Sequence, residues 1–411
     1  MTPEEILKEI KESKLGLIDF IHQKSLALLS KDEELKLNAF RFVDVFPSLR
    51  SSSEVSKILR AYLSAPLNRT YPILGKLLKL GTITGISLVT KFFASWGITI
   101  LASKVIAGRT AKDAIPKLKS ILDSGQGFTV DLLGEYCVSE KEAEVYKDRY
   151  LEVLNSLSKK FTPGKDRPGV PLCISVKLSA LYSQTDYLNF DKSVEVISLR
   201  AKEIVARAEE VGAQVYIDAE DTATNQIIYA VFEKLFCQDF PKIKYPGIVL
   251  QCYLKDSLNT FNRLKDIAVK RGSPIAVRLV KGAYWDVERA LAIQNGFDIP
   301  VFESKKETDR NFEVLSDKLV ENSDYFLPGF AGHNLFSLSY GINLAKQKGI
   351  NFEVQTLYGM ADTLSNALSK RGVFVRQYVP IGELIPGMGY LVRRLVENTS
   401  NEGFLRSLWD V

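Results

Sequence analysis

Eight short apolar runs, set between amphipathic stretches, constrain the fold of this sequence more than any other feature. They are Phe128–Leu133, Leu172–Leu178, Gln214–Ala219, Gly247–Tyr253, Ile275–Val280, Phe326–Phe330, Phe352–Leu357 and Val373–Val379. Their β-branched and aromatic content reads as buried strand. Helical runs such as Asp191–Val211 and Thr222–Phe236 lie between most of them, and the long connection Lys281–Tyr325 is expected to carry an extra helix. Strands alternating with helices call for a parallel sheet. Eight such units argue for a closed (β/α)8 TIM-like barrel, with a doubly wound open sheet as the competitor. No GxGxxG follows any of the strands, which removes the usual dinucleotide fingerprint of the open sheet.

Residues 1–110 read as helical throughout. Pro3-Glu4-Glu5 opens a first helix, Ser30 with Asp32-Glu33-Glu34 looks like a cap and acidic first turn, and Ser51 to Glu54 caps another helix. Ala65-Pro66-Leu67-Asn68 is expected to mark a turn. The sequence therefore divides into a helical arm and linker over 1–110 and a barrel over 111–411.

Several function classes are excluded by what is missing. The formal charge of +5 comes from 54 basic and 49 acidic residues interspersed, so no nucleic-acid footprint is present. Cys137, Cys173, Cys237 and Cys252 are far apart and form no CxxC, which speaks against a disulfide framework and suits a reducing cytoplasm. With only His22 and His333 and no HExxH, no metal site is expected. The charged opening MTPEEILKEIKESK does not read as a signal peptide. Within Thr82–Ala107, Lys91 and Lys104 leave Phe92–Ser103 as the longest uncharged part. That is short of the roughly 20 apolar residues a membrane span needs, so a buried helix is expected there and peripheral membrane contact stays open.

The strand ends carry the chemistry. The first strand carries Asp131 and leads into Glu135, the second carries Lys177, and the third ends in Asp218, Glu220 and Asp221. Gln251 and Tyr253, then Arg278 running into Lys281-Gly282-Ala283-Tyr284-Trp285, mark the fourth and fifth. His333 and Asn334, Gln355, and Tyr378 complete the set. Polar groups recurring along apolar strands are costly to bury without partners or a ligand, so a polar barrel mouth is expected. Lys177 reads as a salt-bridge partner of Glu135 or Asp218, as a Schiff-base lysine, or as a cation for a substrate carboxylate. Asp218 and Glu220 share a face if the strand runs that far. Gly282 would let backbone N–H groups approach a pyrophosphate, Lys281 would neutralise it, and Trp285 offers a ring to stack on. Beyond the last strand, Tyr390 and the adjacent Arg393 and Arg394 lie on a helical segment. The pair reads as a solvated face in isolation and as a carboxylate clamp beside Tyr378.

The motifs SVKLSAL, YIDAED, VRLVKGAYW, FAGHN and YVPIG…YLVRRLVENTSN, in this order and spacing, resemble the proline dehydrogenases. The resemblance is closest to the proline dehydrogenase part of bifunctional proline-utilisation proteins, covers about residues 80–411, and extends to the helical arm of relatives without a DNA-binding module. It implies a distorted (β/α)8 barrel holding FAD. It further implies hydride transfer from C5 of L-proline to flavin N5, giving Δ1-pyrroline-5-carboxylate, with electrons passed to a membrane quinone. Lys177, Arg393 and Arg394 match cations around the proline carboxylate; Asp218, Tyr284, Leu357, Tyr378 and Tyr390 match residues around the ring. Glu135 matches a gating glutamate that pairs with Arg393. Arg278 matches an arginine near flavin N5 and Gln251 a ligand of the isoalloxazine edge. Val280, Lys281, Gly282, Ala283 and Trp285 match phosphate and adenosine contacts, and Lys306, Thr308, His333, Gln355, Thr356 and Glu397 further FAD contacts. Gly332, Tyr358, Val379 and Ile381 depart from the family pattern. By the same resemblance, the product is oxidised by a pyrroline-5-carboxylate dehydrogenase domain or partner, and the protein is cytoplasmic with peripheral contact at the inner membrane face. The competing enzyme reading is a Schiff-base aldolase on Lys177; the non-enzymatic one is a scaffold.

Overall fold

The computed structural model describes residues 2–12, 32–70, 72, 104–134, 136–161 and 172–383. Eight parallel strands close into one barrel in chain order: β1 (Gly127–Leu132), β2 (Cys173–Val176), β3 (Gln214–Ile217), β4 (Gly247–Gln251), β5 (Ile275–Val280), β6 (Phe326–Ala331), β7 (Glu353–Leu357) and β8 (Val375–Ile381). All eight expected strands are present, with no end moved by more than two residues. Helices cover the outer face, so both faces of nearly every strand residue are buried and the strands read as continuous apolar runs.

Several of the intervening helices start where a short polar side chain can take an orphan N–H. Ser139 accepts from Glu142 N ahead of Glu140–Ser158, Asp221 from Thr224 N ahead of Thr222–Glu233, and Asn334 from Ser337 N ahead of Leu335–Lys348. The long β5–β6 connection holds two helices, Trp285–Asn295 and Lys305–Glu321, which supplies the extra helix expected there.

Alternation along the strands sets which side chains fill the barrel. Thr129 and Asp131, Ser175 and Lys177, Tyr216 and Asp218, Glu353 and Gln355, and Arg376 and Tyr378 each stand two residues apart and bond to neighbours inside it. Closure of β1 on β8, with Thr129 opposite Tyr378, brings the first strand's carboxylate beside the last strand's tyrosine.

Contacts divide the chain into two units, Met1–Ile6 with Ala107–Ile381, and Leu7–Ile106 with Gly382–Val411. The described helices of the arm are Pro3–Glu12, Glu33–Val45 and Ser52–Thr70. Asp32 caps the second, accepting from Leu35 N at 3.0 Å. Ser51 and Glu54 form a reciprocal cap on the third, as expected. The expected turn at Ala65–Asn68 is absent: Pro66 lies buried inside the helix, which runs on to Thr70. A proline there removes one i→i−4 bond without breaking the helix when packing holds both sides. Among the described residues no helix is long and apolar enough to cross a membrane.

Candidate active site

The barrel interior is a ladder of alternating charge. At its base Arg376 on β8 pairs with Glu353 on β7 at 3.0 Å, and Glu353 also accepts from Tyr216 OH at 3.2 Å. Gln355, two residues on, donates to Glu353 and takes the Nε hydrogen of Arg278 on its carbonyl oxygen. Arg278 directs its other nitrogens to Asp218 Oδ1 at 2.6 Å and Ser175 Oγ at 3.1 Å. The Tyr216 and Tyr378 rings lie 4.4 and 5.1 Å from its guanidinium carbon. A planar guanidinium held by three acceptors and two rings has one available orientation.

Above Arg278 the ladder reaches the C-terminal mouth, where barrel chemistry resides. Tyr378 OH donates to Asp218 Oδ2 at 2.7 Å, filling the second oxygen of that carboxylate. Lys177, 8% exposed, points its ammonium at Asp131 Oδ1 on β1, with Leu132 O and Tyr378 OH each at 3.4 Å and Asp218 Oδ2 at 4.0 Å. Two cations, Lys177 and Arg278, thus face two anions, Asp131 and Asp218. Complete burial pushes the Asp131 carboxyl up to about 6, against the opposing pull of the Lys177 ammonium. Burial likewise holds the Tyr378 hydroxyl well above its ordinary range, with Asp131 and Asp218 adding to the shift, so it stays a donor at neutral pH.

The opposite arc of the mouth, over β4 to β7, is of different character. Gln251 is locked between Asn225, which donates to its Oε1 at 3.2 Å, and the Glu220 carbonyl, to which its Nε2 donates at 2.9 Å. At the end of β5, Gly282 takes φ 129°, and a Cβ there would collide with the Tyr253 ring. Glycine is therefore the residue the turn admits. Lys281 beside it pairs with Asp309, which sits near Lys306 and Thr308 at the start of the helix Lys305–Glu321. Burial pulls the Lys281 ammonium below its usual range. Trp285 packs against Tyr253, Leu254 and Val301 and donates Nε1–H to Phe302 O at 2.8 Å. His333 accepts the Leu357 N–H on Nε2 at 3.0 Å, which puts its ring proton on Nδ1. Thr356 Oγ1 shares a 2.8 Å hydrogen bond with Ser365 Oγ.

The structure therefore gathers Lys177, Asp218, Arg278 and Tyr378 in one bonded cluster. It sets Gln251, Val280, Lys281, Gly282, Ala283, Tyr284, Trp285, Lys306, Thr308, His333, Gln355, Thr356 and Leu357 on β4–β7 and the segments that come after β5 and β6. Glu135, Tyr390, Arg393, Arg394 and Glu397 lie outside the described residues. The expected ion pair of Lys177 with Asp218 is present at 4.0 Å, and among the described residues Asp131 lies nearer still, because a barrel places side chains of neighbouring strands at one level whatever their separation in sequence. One expectation is corrected. The strand does not run far enough for Asp218 and Glu220 to share its face: β3 ends at Ile217, and Glu220 accepts both the N–H and the hydroxyl of Ser179. Ser175, Tyr216, Glu353 and Arg376 join this network without any expectation from the sequence, and Asp131 gains a partner the sequence does not suggest. The signal that could have found them is polar residues at period two inside apolar runs.

Comparison with known proteins gives this constellation a family. Residues 114–407 match the family model described as proline dehydrogenase, and residues 2–91 match the proline utilization A N-terminal domain. The bifunctional protein PutA of Escherichia coli (strain K12) is 29% identical over 369 residues, covering 87% of this chain and 27% of that protein. Proline dehydrogenase 2 of Bacillus subtilis (strain 168) is 29% identical over 320 residues, 77% of this chain and 92% of its own length. A crystal structure of proline utilization A from Bdellovibrio bacteriovorus, inactivated by N-propargylglycine, superposes with a TM-score of 0.88 at 36% identity, over 99% of this chain and 42% of that one. The chain thus spans about a quarter of the bifunctional relative's length and nearly all of the single-function one's. With the family model matching the whole barrel from β1 to β8 and most of the C-terminal segment, the chain belongs to the proline dehydrogenase family.

Proposed function

We propose that this chain binds FAD and oxidises L-proline to Δ1-pyrroline-5-carboxylate, the first step from proline to glutamate, with the electrons passed to a membrane quinone. The observation that carries the reading is the buried, charge-balanced cluster of Asp131, Lys177, Asp218, Arg278 and Tyr378 at the barrel mouth of a proline dehydrogenase family member. Lys177 offers a cation to the proline carboxylate, joined by Arg393 and Arg394. By the family resemblance, Tyr284, Leu357, Tyr378 and Tyr390 would enclose the ring, and Glu135 would pair with Arg393 to gate it. Three cations on the carboxylate would orient the ring for loss of a hydride from C5, which supplies rate through positioning.

The residues over β4–β7 fit a flavin dinucleotide. Gly282 leaves bare backbone at the end of β5 because its turn excludes a Cβ, and a Cβ on Gly332 after β6 would meet nothing within 4 Å. Lys281, paired with Asp309, and Lys306 at the start of the helix Lys305–Glu321 would supply cations to a pyrophosphate lying on that bare backbone. Val280, Ala283 and Trp285 would hold the phosphate and adenosine end, Arg278 and Gln251 the ring system, and Thr308, His333, Gln355, Thr356 and Glu397 would supply further FAD contacts. The chemistry a bound flavin supplies is acceptance of the hydride from proline C5 at N5. The pairing of Lys177 with Asp131 favours its protonated form, which suits a carboxylate ligand and disfavours the amine nucleophile of an aldolase.

The barrel over 111–411 is the catalytic part and 1–110 the arm. Product passes to a pyrroline-5-carboxylate dehydrogenase, as a further domain or a separate protein, and quinone reduction takes place at the cytoplasmic face of the membrane. The test is turnover of L-proline with an artificial electron acceptor by the purified protein and its Lys177→Met variant. A large rise in KM with flavin retained is expected. Unchanged KM in the variant, or no turnover by the parent protein with FAD supplied, contradicts the reading.

A further inference from the structure

We infer that Asp131 is a positioning residue for the carboxylate site: it keeps Lys177 charged and aimed inside the barrel mouth. The inference rests on Lys177 binding the substrate carboxylate, as proposed above.

Lys177 is nearly buried, and a buried ammonium without a counter-charge gives up its proton readily. The titratable and charged groups facing it among the described residues are few. Asp131 comes from β1, Asp218 from the end of β3 and Tyr378 from β8; Tyr150 and Tyr146 come from the helix Glu140–Ser158, with Tyr150 OH accepting the Lys177 backbone N–H at 3.1 Å. Asp218 is committed, one oxygen to Arg278 at 2.6 Å and the other to Tyr378 at 2.7 Å. Among the described residues, Asp131 is the carboxylate in direct contact with the Lys177 ammonium. Its backbone position is fixed by β1–β2 pairing opposite Ser175, two residues before the lysine, so the ammonium reaches it from the adjacent strand. Asp131 is also fully buried, and its Oδ2 receives no hydrogen bond among the described residues. Its polar neighbours are the Lys177 ammonium, in direct contact, and the Tyr378 hydroxyl, so the charge this carboxylate answers is that of the lysine.

The experiment measures KM for L-proline in wild type and Asp131→Asn holoenzymes from about pH 7 to about pH 9. Taking the ratio of the two cancels the ionisation of proline itself. The ratio is expected to climb by about tenfold across this range as Lys177 in the variant loses its proton, with kcat at saturating proline changing much less. Asp131→Glu, which restores the charge one methylene away, should raise KM at every pH and return the ratio to a flat line. In a Lys177→Arg background, where the cation cannot deprotonate, Asp131→Asn should add no alkaline rise. A KM ratio independent of pH in Asp131→Asn overturns the inference while wild-type turnover leaves the function intact; absent wild-type turnover fails the function instead. If Asp131→Asn does not fold, Asp131→Ser removes the same charge and is read by the same criterion.

Discussion

Removing Arg278 has the most directly calculable consequence in this structure. It is 5% exposed, its partner Asp218 is 6% exposed, and the ion pair between them is 2.6 Å long. Replacing Arg278 with Met preserves much of its volume but strands Asp218 with Tyr378 as its remaining close donor, and leaves Ser175 Oγ and Gln355 Oε1 without theirs. Breaking a buried pair from one side costs about 3–5 kcal/mol, because the remaining charge loses its compensation. Asp218→Asn alone should cost a similar amount, now with the guanidinium left over. The double variant Arg278→Met with Asp218→Asn removes both charges, and the amide oxygen it introduces can still accept from Tyr378. It should be more stable than the sum of the single losses by about 2–3 kcal/mol, the coupling expected of groups that neutralise each other. The assay is a double-mutant cycle in urea, following barrel unfolding by fluorescence and circular dichroism to confirm a single transition. Single variants within about 1 kcal/mol of wild type, or strict additivity in the double, would refute the claim that this pair is a desolvated unit.

Asp131 gives a pH signature. Burial raises its carboxyl to about 6, so the folded protein binds a proton that the unfolded chain, near the ordinary value of about 3.9, has already released. Its contribution to stability is present below about pH 4 and is lost as pH rises through about 6, so Asp131→Asn should gain on wild type across that window. Urea midpoints at both ends measure it, and a shift in favour of wild type would contradict the assignment. Gly282→Ala forces a Cβ against the Tyr253 ring at φ 129°, so it should lower flavin content on purification and cost more than about 1 kcal/mol; full flavin content would count against the turn's role. Lys281→Met should weaken FAD affinity by about tenfold at low salt and less at high salt, since it removes one charge beside the phosphates. Equilibrium titration of the flavin-free protein checks both the size and the salt dependence.

The barrel was legible because all eight strands are buried on both faces, so apolar content alone announced them, down to Ile275–Val280 with both ends correct. The mouth was legible in part: Lys177, Asp218, Arg278 and Tyr378 stand out as polar residues in apolar runs, and they do meet. Which of them pair was not legible. Lys177 to Asp131 spans 46 residues and Tyr378 to Asp218 spans 160, contacts that depend on strand stagger and closure, not on local pattern. The lower ladder was hidden for a related reason. Glu353 and Arg376 sit two residues before Gln355 and Tyr378 on the same strands, and only the closed barrel shows that they neutralise each other. Pro66 misled because its local signal is that of a turn, whereas tertiary packing keeps the helix Ser52–Thr70 continuous.

An anaerobic visible spectrum of the purified protein, taken before and after L-proline is added, tests the central claim most directly. The expected result is a flavin band that L-proline bleaches and D-proline does not, because on the proposed reading a carboxylate held at Lys177 and a ring set against Tyr378 would present one face of one enantiomer to the flavin. A flavin band indifferent to L-proline would leave the cofactor site and move the substrate elsewhere; no band after FAD is supplied would contradict the flavoenzyme reading altogether.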